Sequence, residues 1–213
     1  MPETPSQWYE RTATALAAGG HRESDLQQWS SWPWTGELTP KPLERPAEQE
    51  PERGGADGSG CSICAESIGN AAAEYLIWRD DLWMIGLPRE GSALPFACYL
   101  MPRRHADLAE LTTQEAARQG ELLTLIERAA TAVLAVPRVQ VARWGDGSEH
   151  LHWWLFARPT GQLQLRGTFL SHWSDLLPLG PAEEFRADHD LVAAALVARA
   201  GGEQLIRRPA VDR

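Results

Sequence analysis

The sequence predicts an α+β domain: a small antiparallel sheet of hairpin-linked strands with one long amphipathic helix. Three observations point there. Short apolar runs separated by turn residues fill the stretch from Tyr75 to Met101. A longer stretch behind Thr112 repeats its apolar residues at helical spacing. Two more strand-like runs follow Pro137. The order β-β-β-α-β-β, with short connections, favours an antiparallel sheet over a parallel one.

Each element has its own warrant. Tyr75-Leu-Ile-Trp-Arg79 and Leu82-Trp-Met-Ile-Gly-Leu87 flank Asp80-Asp81, a hairpin signal. Pro95-Phe-Ala-Cys-Tyr-Leu-Met101 is a third strand, closed by Pro102. Thr112 and Glu115 form a capping box. Behind it Ala116, Leu122, Leu123, Ile126, Ala129, Ala130 and Val133 define a helix over 113–135, stopped by Pro137. Arg138–Ala142 and His150–Phe156 read as strands, with a glycine-bearing turn at 144–147 between them. Beyond Pro159, 169–177 is apolar, and 182–199 is a helix whose acidic start (Glu183, Glu184) suits its dipole. Upstream, 8–18 reads as a short helix ended by Gly19-Gly20. Trp29, Trp32 and Trp34 follow, read as anchors that pin this arm to the main domain, and then a Pro-, Glu- and Gly-rich linker from Lys41 to Gly60. The organisation expected is an N-terminal arm and linker (1–60), a central domain (61–160) and a C-terminal extension packed on it (161–213).

Composition narrows the partners. With 20 basic and 29 acidic residues in 213, the formal charge is −9, and residues 1–60 hold −5 of it. Such a chain is repelled by nucleic acid and by anionic membranes, although a local basic pocket can still take a small anion. No apolar run approaches the roughly 20 residues that span a bilayer, and the N-terminus has no basic-then-apolar pattern. Three cysteines, two of them in Cys61-Ser-Ile-Cys64, do not form a disulfide framework. The expectation is a cytoplasmic protein with no membrane segment.

The chemistry concentrates in a few residues. A C-x-x-C pair offers two thiolates at a spacing zinc accepts, and the rival redox reading lacks a thioredoxin-like βαβ setting. His150 and His152, two apart on a strand, would share one face. His105 follows a strand end in Met101-Pro-Arg-Arg-His105. His21 lies in the arm, and His172 and His189 in the tail, which makes them weaker ligand candidates.

These residues carry a resemblance. Tyr75–Leu111 is similar to the front half of the histidine triad (HIT) superfamily: a hairpin, a third strand, a Pro-basic-basic-His turn and a long helix. His150-Leu-His152-Trp-Trp154-Leu-Phe-Ala-Arg-Pro159 resembles that family's His-apolar-His-apolar-His signature. The match spans about 61–160. It implies a HIT-like five-stranded antiparallel sheet flanked by helices, often as a homodimer. It implies that His152, the middle signature histidine, is a nucleophile that attacks phosphorus and forms a nucleotidyl-histidine. Zinc-bearing branches, which include galactose-1-phosphate uridylyltransferase, imply a structural Zn2+ held by Cys61, Cys64, His105 and His150.

Some positions depart from the pattern. The third signature position is Trp154, whose indole donates one hydrogen bond but shuttles no proton. Arg143-Trp144-Gly145 replaces the usual Asn-x-Gly, Ser148 is displaced by one, and the ribose-gripping acid is absent near Leu87. Arg143, Gly147, Ser148, Trp154 and Arg158 are the expected substrate contacts, with Arg103 and Arg104 also at the pocket edge. The function expected is a hydrolase or nucleotidyltransferase cleaving a phosphoanhydride, phosphoester or phosphoramidate of a small nucleotide or phosphorylated metabolite. The alternative is a catalytically altered HIT-fold protein that binds a nucleotide or a protein partner.

Overall fold

The computed structural model describes residues 3–18, 29–36, 43–56, 58–67 and 74–205. They fall into two compact units, Met1–Glu52 and Arg53–Arg213. Among the described residues no helix is long and apolar enough to cross a membrane.

In the first unit, helix α1 spans Pro5–Ala17. It starts earlier than its apolar residues suggest, because Thr4 and Gln7 form a capping box and Pro5 suits the first turn. Trp32 and Trp34 pack edge to face, ring centroids 5.1 Å apart. The Gly19-Gly20 stop, His21 and Lys41 lie outside the described residues.

The second unit opens with a short helix, α2 (Ser62–Glu66), and then builds the sheet. Its strands are β1 (Leu76–Arg79), β2 (Trp83–Gly86) and β3 (Phe96–Pro102), followed after helix α3 (Thr113–Val133) by β4 (Gln140–Ala142) and β5 (Trp153–Ala157). Helices α4 (Leu170–Leu176) and α5 (Ala182–Ala200) precede β6 (Glu203–Gln204). All pairings between strands are antiparallel, in the order β4-β5-β3-β2-β1-β6. The expected α+β class and antiparallel sheet flanked by helices are present, with six strands where five were expected.

Two local details, the sixth strand and the start of β5, differ from expectation, while the Asp80 turn between β1 and β2 is where it was expected. The sheet has a sixth strand, too short for any alternation to show in sequence. It forms because Gly201 and Gly202 take positive φ (72° and 82°) and turn the chain onto the free edge of β1. A Cβ on Gly202 would lie 2.6 Å from the Arg79 carbonyl oxygen, so only glycine permits that approach. The Trp78 indole N–H donates to the Gly201 carbonyl at 3.0 Å and fixes the turn. At the β1–β2 hairpin, Asp80 Oδ1 accepts from the Leu82 and Trp83 N–H groups at 2.8 and 2.7 Å, an Asx turn. Finally, β5 begins at Trp153, after both signature histidines. The segment before it leaves the ladder because Leu151 N–H donates to the Ala106 carbonyl at 2.9 Å instead.

Period-two alternation assigns the faces of the sheet. Phe96, Cys98 and Leu100 on β3, with Leu155 and Ala157 on β5, join Leu122, Ile126, Ala129 and Ala130 of α3 in the main core. The other face carries Ala97, Tyr99 and Met101 beside Trp154 and Phe156 and forms the floor of a cavity.

His189 on α5 is a core residue. Its Nδ1–H donates to the Phe185 carbonyl at 2.6 Å, its Nε2 accepts from Ala97 N–H at 3.2 Å, and the ring stacks on Phe96. Both nitrogens are satisfied only when the imidazole is neutral. Burial pushes its pKa down to about 4. The unfolded chain protonates first, so this contribution to stability is complete above the unfolded value near 6.5 and is lost as pH falls toward 4. The loss should reach about 3 kcal/mol. Urea unfolding of the wild type across that window should show this slope, and His189→Asn should flatten it; parallel pH profiles would contradict the assignment.

Candidate active site and metal centre

Cys61 caps the N-terminus of α2, and Cys64 lies in its first turn, so a single helical turn presents both sulfurs together. Two other loops bring imidazoles to them. The ligand atoms of Cys61, Cys64, His105 and His150 all lie within 4.8 Å of one another. His150 Nδ1 is 3.5 Å from Cys61 Sγ and 3.3 Å from Cys64 Sγ, and His105 Nδ1 is 3.5 Å from Cys64 Sγ. Zn–S bonds of about 2.3 Å and Zn–N bonds of about 2.0 Å give a tetrahedron with S–N edges near 3.5 Å. Two thiols and two imidazoles at that spacing fit zinc in size and in donor chemistry.

The tautomer of His150 fits as well. Its other nitrogen, Nε2, lies 2.8 Å from the Pro102 carbonyl oxygen, which can only accept. Nε2 therefore carries the proton, and Nδ1 turns its lone pair to the sulfurs, the orientation a metal-ligating histidine needs. Burial holds the His150 pKa below the ordinary imidazole range, which keeps the ring neutral. Burial, then the neighbouring Cys61 thiol, push Cys64 up to about 11. A metal must displace that proton, so its affinity rises with pH.

Around this cluster runs a network of ion pairs. Asp107, two residues after His105, takes Arg53 Nη1 on Oδ2 at 2.6 Å and Arg143 Nη2 on Oδ1 at 2.7 Å. Arg53 also reaches Glu149, the residue before His150, at 3.3 Å, and the Gly145 carbonyl at 3.0 Å. Burial works against the Asp107 carboxylate, but hydrogen bonds from Arg53, from Leu108 N–H and from Arg143 outweigh it and hold its pKa below the usual range. The network ties the entry to α2, the loop after His105 and the loop before His150 to one carboxylate.

Beside the cluster lies a cavity of about 1070 Å³. Ser62 and Ile63 of α2 reach its wall, next to the Cys61–Cys64 turn. His152 lines it. His152 Nδ1 is 3.0 Å from the His150 carbonyl oxygen and must donate to it, which leaves the lone pair on Nε2. Two residues apart, the histidines therefore serve different roles: His150 is buried in the cluster and His152 faces the cavity. Tyr99, Trp144, Trp154 and Phe156 give the cavity an aromatic side. Trp154 is at its centre, edge to face with Tyr99 at 4.7 Å and with Trp144 at 5.6 Å. Burial drives the Tyr99 pKa up to about 12 and pushes Tyr75, also on the cavity, up as well.

The expected substrate contacts divide. Ser148 and Trp154 line the cavity; Gly147, Arg143 and Arg158 do not. The Gly147 carbonyl accepts from Gly54 N–H at 2.9 Å, and Ser148 Oγ accepts from His150 N–H at 3.2 Å. Arg143 turns to Asp107 rather than inward, and Arg158 donates to the Pro159 carbonyl at 3.1 Å. Arg103 and Arg104 are also directed elsewhere, Arg103 to the Asp80 carbonyl and Arg104 to both Glu115 oxygens. The Trp154 indole nitrogen is buried and meets no acceptor among the described residues, so the ring offers the cavity a face and not a donor.

Other cavity residues were not expected from the sequence. Arg89, Glu90 and Ser92 form one lip, held to the tail by Gly180 N–H donating to the Ser92 carbonyl at 3.1 Å. His172 and Asp175 on α4 form another part of the wall. Their spacing of three on a helix was the available signal, but nothing in the sequence aims that helix at β3 and β5.

The chain matches no family model and no curated protein. Among solved structures, a zinc-bound histidine triad family protein from Mycobacterium smegmatis is similar at 21% identity and a TM-score of 0.46, over 65% of this chain and 94% of that one. A hypothetical histidine triad nucleotide-binding protein from Sulfolobus tokodaii is similar at 13% identity and 0.47, over 66% and 97%. A uridylyltransferase is similar at 22% identity and 0.47, over 68% of this chain and 48% of that one.

If the four donors hold zinc, purified protein should carry about one zinc per chain by elemental analysis. Cys61→Ser should lose the metal and much of its thermal stability. Full zinc occupancy in Cys61→Ser would rule this centre out.

Proposed function

We propose that this chain is a HIT-type nucleotide-processing enzyme, a hydrolase or nucleotidyltransferase that works through a covalent nucleotidyl-histidine at His152. The observation that carries this reading is the locked tautomer of His152. A carbonyl oxygen fixes the proton on Nδ1, and Nε2 is left with its lone pair on a residue that lines a cavity. A neutral imidazole held in that way is a competent nucleophile near neutral pH. The resemblance of His150-Leu-His152 to the HIT signature supports the same role.

The mechanism follows from the chain's own groups. His152 Nε2 attacks the phosphorus of a substrate seated on the sheet floor, and the leaving group departs. Water or a second substrate then takes the nucleotidyl group from the imidazole. As positive charge develops on the ring, the His150 carbonyl strengthens its hydrogen bond to Nδ1–H. Cys61, Cys64, His105 and His150 would hold zinc, which supplies a closed structural tie. His150 is then a ligand and an orienting carbonyl, and takes no part in proton transfer. Ser148 and the aromatic faces of Trp144 and Trp154 are the substrate contacts we favour; Arg143, Gly147 and Arg158 do not line the cavity and support the loops around it.

One observation favours a second reading, a binding protein without turnover. None of the four arginines expected at the pocket edge lines the cavity, so charge stabilisation of a phosphorane is modest.

Incubation with a panel of nucleotide derivatives should produce a covalent nucleotidyl adduct, detected by intact mass spectrometry. His152→Ala should abolish adduct and turnover and leave metal content unchanged. Turnover that survives in His152→Ala would exclude this nucleophile. Ligand binding should also quench tryptophan fluorescence, and Trp154→Phe should remove part of the change; an unaltered quench would place Trp154 away from the ligand.

A further inference from the structure

A nucleophile on phosphorus leaves one need open. Unless the leaving group is a stable anion, it must receive a proton as its bond to phosphorus breaks. The groups facing the cavity can be sorted by whether they can supply one near neutral pH. Trp154, beside His152, has a buried N–H, and an indole does not release its proton near neutral pH. Burial raises Tyr75 and Tyr99 far above neutrality. Glu90 and Asp175 bring carboxylates, which accept, and Arg89 brings a guanidinium, which does not release its proton. His150 is turned to the Cys61 and Cys64 sulfurs and is absent from the cavity wall. That leaves one other imidazole: His172, on α4, which lines the same cavity as His152. Imidazole is the side chain best suited to give and then retake a proton under these conditions.

His172 is also well placed for that role. It is exposed at the cavity margin, where a departing group meets solvent. Asp175, three residues on along α4, lies on the same helical face and lines the same cavity.

We propose that His172 is the general acid–base of this site and protonates the leaving group that His152 displaces. This rests on the nucleophile reading above. In the first step the Nε2 lone pair of His152 forms the N–P bond, the bond from phosphorus to the leaving oxygen or nitrogen breaks, and that atom takes a proton from the His172 imidazolium. In the second step the neutral His172 removes a proton from water or an acceptor hydroxyl, whose oxygen attacks phosphorus. The N–P bond then breaks, and His172 ends protonated as it began.

The test is a comparison of leaving groups in the full chain. The probes are the p-nitrophenyl and 2,2,2-trifluoroethyl esters of adenosine and uridine 5′-phosphates. p-Nitrophenolate leaves unassisted, whereas trifluoroethoxide needs the proton. His172→Gln should lower turnover of the trifluoroethyl ester by about 100-fold or more and slow adduct formation with the p-nitrophenyl ester no more than about twofold. Intact adduct formation with the p-nitrophenyl ester also shows that the variant is folded. Equal losses with both esters, or no loss with either, would overturn the assignment while leaving His152 as nucleophile. No adduct on wild-type His152 with either ester would overturn the nucleophile reading, and this assignment with it.

Discussion

The candidate site depends on His150 making three contacts in three directions. Its Nε2–H is held by the Pro102 carbonyl, its Nδ1 faces two sulfurs, and its own carbonyl accepts from His152 Nδ1–H. The first contact sets the tautomer that suits the second. The third transmits the fixed backbone position of a buried residue to the ring of its neighbour. Loss of the cluster would free the Cys61–Cys64 turn and the loop before β5 together, and His152 would lose its rigid acceptor. A metal held by these four residues would be structural and would still set the orientation of the His152 imidazole.

The charge arrangement follows from the same constraint. Three loops must converge on the cluster, and a single carboxylate, Asp107, joins them through Arg53 and Arg143. Arginines are strong, bidentate-capable partners for a carboxylate, and partial burial makes those bonds worth more than surface pairs. Arginines near a phosphate site in sequence are therefore not necessarily phosphate ligands. Here Arg143 and Arg104 are held by carboxylates, and the cavity is lined in large part by aromatic rings and hydroxyls.

Much of this was legible in the sequence, where one residue acts through one local rule. The Thr112–Glu115 capping box, the Asp80 turn and the long helix each follow from short-range physics, and structure and sequence agree on them. The C-x-x-C pair and two of the six histidines meet in space as expected, because strand ends and a helix cap are predictable places. Less legible were features that depend on packing at a distance. The two-residue β6 exists only because Gly202 can approach Arg79. The start of β5 slips to Trp153 because Ala106 competes for the Leu151 N–H. His189 looked like a spare ligand in the tail, yet Phe96 and Ala97 make it a neutral core residue.

The aromatic side of the cavity can be weighed against the phosphate chemistry proposed beside it. Trp154 leaves an indole N–H unpaired, a cost of about 1–3 kcal/mol that a phenyl ring would avoid. Its compensation is the ring area it gives to Tyr99, Trp144 and Phe156, which fixes a wide apolar surface next to His152. A substrate entering here meets one guanidinium, two carboxylates and five aromatic rings beside the imidazoles of His152 and His172. Its binding energy must then come mostly from stacking and burial of its organic part, with little from its charge. Such binding positions phosphorus through the rest of the molecule, so shortening the organic part should cost turnover as well as affinity.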